Sequence, residues 1–426
     1  MPARPRRAVV TGLGVLTPVG STPPALWDAL KSGASGVRPL AAFGAAPLAC
    51  HIAGQLSDFD AKALIDRSYR KSLNVMSRTV QLGVVAAQLA ARDAGVAKGT
   101  IPPERFGVSF ASVMAESEID DLGGMSAACS RGVGRPVDME TWGRAGVPHL
   151  PPTWMLKYLP NMPACHVTIM HDAQGPSNSV TTGDVAGAAA IGEALRAVRR
   201  GAADFMLVGG CESKLNALTL GRANAFAPFT RERERPERAV RPFDRDASGT
   251  CPGEAAAAFG LEELAHARRR GAPVLGEVLG AASGVDRGRT GDGLARVIRS
   301  ALASAGVTPA DVDHVNAHGV GVPGPDAFEA RGIAGVFGRD VPVFAPLSRF
   351  GNTGAAAGLV ELACSLLALQ QGELPGTINH DTPRAGCPIA VHTGQPRRVT
   401  RPCVVKTTHT DMGQCAAVVV RRWDGA

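Results

Sequence analysis

The chain has 426 residues, 45% of them hydrophobic and only 4% aromatic, so we expect a large globular core built mainly from Ala, Val, Leu and Gly. The net charge of +7 is modest, and the scarcity of aromatic residues makes nucleic acid an unfavoured partner. No stretch of about 18 apolar residues occurs and the N-terminal residues enter a strand pattern almost at once, so neither a membrane span nor a secretory signal is expected and the predicted location is cytoplasmic.

The first part of the chain predicts strand, turn and helix in repeated order. Residues 6–20 form an apolar strand that runs into a Gly/Pro turn, and residues 25–33 follow as a short amphipathic helix. Residues 78–95 carry the apolar stripe of a long helix that ends at glycine. Residues 105–113 are predicted to form the next strand.

Residues 175–195 predict a strand, a sharp corner at Asp184 and the opening turns of an Ala-rich helix. A corner residue of this kind stands beside the free N–H groups of the helix, where acyl-transfer enzymes often place a Ser or Cys nucleophile. Small neighbours such as Gly183 and Gly187 allow strand and helix to pack closely. The corner therefore has the form of a nucleophile site but carries a carboxylate, which either caps the helix or has a chemical role.

The second half repeats the same rhythm. After a continuous apolar strand at 203–213, the predicted elements are a helix at 293–306, strands at 312–322, 341–354, 387–394 and 415–423, and a helix at 356–372. This alternation predicts an α/β layered fold with mostly parallel sheets. The two halves, 1–255 with Asp184 and 256–426 with His318 and Asn352, suggest an internal duplication.

Some features favour no single function. Pro/Gly/Arg-rich segments at 130–153 and 229–253 are predicted to be insertions near a cleft or a sheet edge. The basic segments 196–201, 230–241 and 266–271 are either solvated helix ends and loops or a docking face for an acidic partner. The nine cysteines are scattered without a CxxC pair, so neither a disulfide framework nor a zinc site is expected.

Several motifs, taken in order, resemble the β-ketoacyl synthase family of the thiolase superfamily, in the branch that elongates chains on acyl carrier protein. They are "VVTGLGVLTPVG" at 9–20, "GPSNSVTTGD" at 175–184, "VGGCES" at 208–213, "RPFDRDASG" at 241–249, "VNAHGVGVPGPDAFEA" at 315–330 and "SRFGNTGAAAGLVEL" at 348–362. The resemblance implies a thiolase fold, which is a duplicated five-layer αβαβα arrangement with mostly parallel mixed sheets.

The resemblance also implies roles for the residues of the site. Asp184 stands where the family has a nucleophilic cysteine, and an acyl-aspartate is a mixed anhydride uphill from a thioester, so condensation by this chain alone is not expected. His318 matches the first of two histidines that stabilise the enolate, and Asn352 stands in the place of the second. Leu347 replaces a family lysine, which predicts a thinner polar network around the second histidine position.

The family's apolar gating loop corresponds to residues 408–413, and His409 and Asp411 in that loop argue against ordinary gating of an acyl chain. The predicted catalytic residues are Asp184, His318, Asn352 and His409, and the predicted substrate contacts are Thr182, Met162 and Asp411.

Structural roles compete with these interpretations. His318 can be a hydrogen-bonded remnant of an ancestral site, and Asn352 or Asp184 can cap a helix. Asp326 and Glu329 are predicted to order the loop that follows His318. A metal site made from Asp184, His318, His409 and Asp411 fits by residue type but is not favoured, and no metal or cofactor is expected.

Two functions remain open. The first is a non-elongating subunit, similar to the chain-length factors of type II polyketide synthases, that pairs with an active ketosynthase; the segment 154–169 with its "LPNM" motif favours it. The second is a repurposed enzyme that uses Asp184 and His318 for hydrolysis, decarboxylation, cyclisation or acyl transfer. The expected partners are a ketosynthase or a second copy of the chain, together with acyl carrier protein, and neither nucleic acid nor a membrane.

Overall fold

A computed structural model describes residues 6–40, 48–132 and 135–425. Residues 1–5 of the predicted N-terminal half and residues 133–134 of the predicted insertion 130–153 lie outside the described residues. The strands are β1 (Ala8–Leu16), β2 (Val37–Pro39), β3 (Ile52–Gly54), β4 (Phe106–Ala111), β5 (Ser177–Val180), β6 (Phe205–Ser213), β7 (Glu254–Glu263), β8 (Gly276–Val285), β9 (Val312–Asn316), β10 (Pro342–Phe344), β11 (Glu373–Leu374), β12 (Ala390–Val391), β13 (Arg397–Arg398), β14 (Cys403–His409) and β15 (Gln414–Arg421).

The helices alternate with these strands. They are α1 (Pro23–Ser32), α2 (Ala61–Leu64), α3 (Arg78–Asp93), α4 (Ile119–Cys129), α5 (Met139–Thr141), α6 (Met162–His171), α7 (Ala186–Arg199), α8 (Ala217–Phe226), α9 (Leu264–Arg269), α10 (Asp292–Ala305), α11 (Pro323–Phe337) and α12 (Ala357–Gln371). The predicted α/β class is confirmed. The insertion predicted at 130–153 holds α5 and two further short helical turns.

Eleven of the described strands form one sheet, in the order β12-β10-β9-β14-β15-β8-β1-β7-β6-β4-β5. The flanks are parallel, whereas every pair from β14 through to β6 is antiparallel. The prediction of mostly parallel strands is therefore wrong for the centre of the sheet. Part of the reason is local, because only residues 410–413 join β14 to β15 and so short a connection can make only an antiparallel pair.

Alternate side chains of the central strands face different cores. One core joins α7 and α12 to strands from both halves of the sheet, a second packs α3 and α6 on β4, β6 and β7, and a third packs α10 and α11 on β9, β14 and β15. These cores define five layers, because the two ends of the sheet lie on opposite sides of α7 and α12. The order is α3 with α6, one part of the sheet, α7 with α12, the other part of the sheet, and α10 with α11. The division at residue 255 stays a prediction; β7 begins at Glu254 and pairs with β1 and β6 of the N-terminal half.

One segment, Gly354–Gln371, is long and apolar enough by composition to cross a membrane, with a mean hydropathy of 1.3. It contains α12, and 89% of it is buried inside the protein. Its apolar character is accounted for by its place in the central layer, where side chains face protein on all sides.

The contact between β1 and α3 requires glycine. A Cβ atom on Gly14 would lie 2.1 Å from the Ala86 carbonyl oxygen and 2.7 Å from the Ala90 nitrogen, both of which are backbone atoms. We expect Gly14→Ala to lower the free energy of unfolding by about 1–3 kcal/mol, because strand and helix must separate. Urea denaturation measures this. Gly221→Ala is the matched control: nothing lies near Gly221 in α8, so we expect it to raise stability by up to about 1 kcal/mol.

Candidate functional site

The corner that carries Asp184 forms where the chain passes from β5 into α7. A single turn of 3₁₀ helix, Gly183–Val185, makes the bend, and Gly183 adopts a positive φ of 64° that suits glycine. Gly187 lets α7 approach α12, since a Cβ atom there would lie 2.8 Å from Leu359 Cδ1. The same close approach brings Asp184 next to Asn352, which precedes α12.

The Asp184 carboxylate is held by side chains rather than by the helix. Its Oδ2 atom accepts hydrogen bonds from His318 Nε2 and from Asn352 Nδ2, each at 3.1 Å. No side chain caps α7. The interpretation of Asp184 as a helix cap is therefore wrong, because the carboxylate points across the site toward the C-terminal half.

His318 follows β9 and is fully buried. Its Nδ1 atom lies 3.1 Å from Glu361 Oε1 on α12, so the ring bridges two carboxylates. Its backbone N–H donates to Glu329 Oε1 at 2.8 Å, and Glu329 also accepts from the Gly319 N–H. Asp326 accepts from the N–H groups of Phe243 and Gly321. The prediction that Asp326 and Glu329 order the loop after His318 is confirmed.

Glu361 has a second cationic partner, Lys406 on β14. The Lys406 ammonium forms an ion pair with Glu361 Oε2 and donates to the carbonyl oxygens of Asn316 and Thr407, and both charged side chains are almost completely buried. β14 therefore supplies an ammonium group to the network around His318. The result is an alternating chain of charges, Asp184, His318, Glu361 and Lys406. The thinner network expected around Asn352, where Leu347 replaces a family lysine, stays a prediction.

Neighbouring opposite charges keep His318 and Asp184 in their charged forms. Burial would lower the pKa of His318, but the charge of Glu361 and the hydrogen bond with Asp184 outweigh it and raise the pKa to about 10. Burial would likewise raise the pKa of Asp184, but the charge of Lys214 and the hydrogen bond from His318 hold it well below its ordinary value. At neutral pH the site therefore contains an imidazolium–carboxylate pair.

Asn352 connects the corner to Lys214, a residue at the end of β6 that was not among the predicted site residues. The Asn352 Oδ1 atom accepts from Lys214 Nζ at 2.6 Å and from the Gly354 N–H at 2.8 Å. Asn352 is therefore not the N-cap of α12, whose N-cap position is Ala356. One end of its amide accepts from the turn before α12, and the other end donates to Asp184.

Beside Asp184 lies a cavity of about 550 Å³ that is open to solvent. Thr182, Asp184, Lys214, Asn352, His409 and Asp411 are among its lining residues. The Asp184 side chain is 21% exposed, so a ligand in the cavity can reach it. Phe229, Thr250 and Pro252 also line it, which confirms that part of the segment 229–253 lies at a cleft.

The remaining predicted residues are His409, Asp411 and Thr182, which line the cavity, and Met162, which lies away from it. His409 is buried, with its ring edge-on to His318 at 5.4 Å between centroids and its Nε2 atom 3.5 Å from Glu329 Oε2. Asp411 is exposed on the turn between β14 and β15, and the Thr182 hydroxyl has no hydrogen-bond partner among the described residues. Met162 begins α6, packs against the core formed with α3 and does not line the cavity.

Three residues of the site escaped sequence reasoning: Lys214, Glu361 and Lys406. Glu361 is the single charged residue of the largely apolar α12, and Lys406 follows three apolar residues in β14; such charges are almost always paired when buried. That signal could have indicated both. Within the described residues, no group of three or more His, Cys, Asp or Glu side chains is arranged to hold a metal ion.

Comparison with known proteins identifies the family. The N-terminal domain of β-ketoacyl synthases matches residues 6–267, and the C-terminal domain matches residues 277–381. A 3-oxoacyl-[acyl-carrier-protein] synthase 2 of Coxiella burnetii is 30% identical over 98% of this chain and 99% of its own length. The ketoacyl synthase alpha subunit of the tetracenomycin polyketide synthase of Streptomyces glaucescens is 32% identical, over 90% and 89%.

The structural comparison agrees. The solved structure of the ishigamide ketosynthase/chain length factor has a TM-score of 0.86 and 26% identity, covering 98% of this chain and 100% of its own. The chain therefore belongs to the β-ketoacyl synthase family, and the predicted family and thiolase fold are confirmed.

Removal of the Lys406 charge tests the buried ion pair. We expect Lys406→Met to lower the free energy of unfolding by about 3–5 kcal/mol, because Glu361 keeps a buried charge without its ammonium partner. Urea denaturation measures the effect. Lys98→Met, at an exposed position, should change stability by less than about 0.5 kcal/mol. Equal changes in the free energy of unfolding of the two variants would show that the Glu361–Lys406 ion pair does not stabilise the fold.

The pH dependence of stability tests the protonation of His318. Because its pKa rises from 6.5 to about 10 on folding, its contribution is fully present below pH 6.5 and is lost as pH rises through 10. The pKa of Asp184 is lowered from 3.8, so its contribution is present above pH 3.8 and is lost at lower pH. The stability difference between the wild type and His318→Gln should therefore be largest between pH 3.8 and pH 6.5 and shrink toward pH 10. His149→Gln, at an exposed position, is the control, and a difference independent of pH would contradict the assignment.

Proposed function

We propose that this chain is a non-elongating, ketosynthase-like subunit of the chain-length-factor kind. It pairs with an active ketosynthase in type II polyketide or fatty acid synthesis and shapes the tunnel in which the acyl chain grows. One observation carries the proposal: the corner residue is an aspartate whose Oδ2 atom accepts hydrogen bonds from both His318 Nε2 and Asn352 Nδ2.

The first support is the lack of a thiol. Transfer of an acyl group onto Asp184 would exchange a thioester for a mixed anhydride, a step that is uphill and whose product hydrolyses rapidly. All nine cysteines lie within the described residues, and none of them lines the cavity. Burial raises the pKa of Cys211, Cys251 and Cys415, three cysteines in or next to segments that reach the site, so none of the three supplies a thiolate.

The second support is that the hydrogen-bond donors are already in use. Stabilisation of an enolate needs donors aimed at the oxygen where negative charge develops. Here the protein's own carboxylate accepts from both candidate donors. A substrate carbonyl must displace Asp184 from a cationic imidazole, which costs the ion pair without providing another partner for the carboxylate.

The third support concerns acid–base chemistry. A general base works best when its pKa lies near the operating pH. The pKa of Asp184 is held far below neutrality by Lys214 and His318 despite burial, and the pKa of His318 is raised to about 10. Both groups are therefore fixed in their charged forms at neutral pH, which favours a structural ion pair over a proton shuttle.

The proteins similar to this chain suggest the partners. The Streptomyces relative is named as an alpha subunit, the structural neighbour as a ketosynthase/chain length factor, and the Coxiella relative as acting on an acyl carrier protein. Three apolar side chains on the segment 139–169 are well exposed in the single chain, Met139 at 72%, Val147 at 50% and Ile169 at 66%. Such a surface suits a partner subunit.

The arginines of the basic segment 230–241 fall into two groups, those held in ion pairs within the protein and those exposed to solvent. Arg238 and Arg241 pair with Asp381, whereas Arg231 and Arg233 are exposed. The exposed arginines leave a face with which an acidic carrier protein could associate.

A second candidate is a repurposed enzyme that acts on an acyl thioester with Asp184 and His318. The observation in its favour is the open cavity of about 550 Å³ that reaches the 21% exposed Asp184 side chain. A subunit without chemistry has no requirement for such access. The two candidates differ in whether Asp184 is needed for turnover.

The proposal is tested with the chain alone and with a co-expressed ketosynthase from the same gene neighbourhood. We expect the chain alone to form no β-ketoacyl product from acyl- and malonyl-loaded carrier protein, and the co-expressed pair to copurify and elongate. Mass spectrometry of carrier-bound products and size-exclusion chromatography measure both outcomes.

Asp184→Asn serves as the matched variant in the same assay. Turnover of an acyl thioester by the chain alone that is lost in Asp184→Asn would establish the second candidate. Elongation by the chain alone would contradict both functions. Under the first proposal, the variant leaves the copurification of the pair unchanged.

A further inference from the structure

We propose that Lys214 is a positioning residue of this site: its ammonium group fixes the Asn352 carboxamide so that Nδ2 faces Asp184, and its charge stabilises the Asp184 carboxylate. The inference deepens the proposed function, because it names the residue that keeps the second donor, Asn352 Nδ2, bound to Asp184. It rests on the proposed function only in treating that donor as unavailable to a substrate.

The geometry of Asn352 is the first part of the argument. The Oδ1 atom has two lone pairs, and it accepts from two donors, Lys214 Nζ at 2.6 Å and the Gly354 N–H at 2.8 Å. The Nδ2 group is therefore left to donate to Asp184 Oδ2 at 3.1 Å. A reversed amide would place its NH₂ group against an ammonium and a backbone N–H, where every contact joins two donors.

The environment of Lys214 is the second part. The Glu212 Oε1 atom lies 3.8 Å from the Lys214 ammonium, beyond hydrogen-bond distance. The other Glu212 oxygen accepts from the Ala355 N–H at 2.8 Å, which holds this carboxylate against the turn before α12. The shortest contact of the ammonium is thus an amide oxygen, although its side chain is only 24% exposed.

A partly buried ammonium needs a charge nearby to offset its desolvation. Two carboxylates meet that need: Glu212, 3.8 Å away, and Asp184, which binds the opposite end of the Asn352 carboxamide. Burial disfavours the charge on Lys214, but Glu212, Asp184 and Asp411 outweigh it and raise its pKa. Burial raises the pKa of Asp184, but the charge of Lys214, together with the hydrogen bond and charge of His318, outweighs it and lowers that pKa.

Several elements bring charged groups to this corner. Lys214 and Glu212 come from the end of β6, His318 from the loop after β9, Glu361 from α12, His409 from β14 and Asp411 from the turn that follows it. His318 contacts Asp184 directly, so loss of Lys214 should weaken the ionisation of Asp184 without abolishing it.

The test is a pH titration of Asp184 by NMR in protein labelled with ¹³C at the aspartate carboxyl, with no substrate present; Asp184→Asn identifies the resonance. We expect Lys214→Met to raise the titration midpoint of Asp184 by about 1–3 pH units, the usual effect of removing an opposite charge at close range. Lys214→Arg should restore the wild-type midpoint. Lys157→Met is the matched control, because Lys157 pairs with Asp121 elsewhere.

Lys214→Gln separates the two roles and provides a second variant if Lys214→Met folds poorly. Its amide can still donate to Asn352 Oδ1, so we expect slow solvent exchange of the Asn352 side-chain amide to persist while the Asp184 midpoint rises. An unchanged midpoint in both Lys214→Met and Lys214→Gln overturns the inference. So does an equal shift in Lys157→Met.

The outcome is independent of the proposed function. A chain that turns over acyl thioesters would refute the non-elongating role and leave the titration result valid. Unaltered titration in a chain without elongation activity would refute the role of Lys214 alone.

Discussion

The site depends on an alternating chain of buried charges that runs from Lys406 through Glu361 and His318 to Asp184. Each charge alone would be costly in a protein interior, and the chain is stable because every member contacts one of opposite sign. The charges come from both halves of the molecule, since Asp184 belongs to the corner after β5 and the others follow β9 or lie on α12 and β14. The ionic contacts therefore join the two halves at the candidate functional site.

Backbone packing places these charges within reach of one another. Gly187 in α7 and Gly358 in α12 let the two helices approach closely, and the central layer formed by these helices is surrounded by strands of both halves. Asp184 and Asn352 stand at the N-terminal ends of the two helices, side by side. The corner thus keeps the form of a nucleophile site while its side chain is a carboxylate.

That change alters what the site can do. A thiol at this corner would be a nucleophile with two free donors nearby, whereas the carboxylate uses both donors itself. The open cavity remains, with Thr182, Lys214 and Asp411 on its walls. A site with access, in which no thiol lines the cavity and both His318 and Asn352 are occupied by Asp184, is consistent with a subunit whose contribution is shape and association. Lys214 is part of what holds it in that state.

Sequence alone determined the α/β class, the strand–corner–helix at Asp184, the family resemblance and the membership of Asp184, His318 and Asn352 in one site, because each depends on local patterns or ordered motifs. It did not reveal the antiparallel centre of the sheet, which depends on which strands become neighbours. Nor did it show that Lys406 pairs with Glu361, that His409 is buried against His318, or that Lys214 holds Asn352. Those contacts join residues distant in the chain, and their energies depend on distance and burial, which only the tertiary structure decides.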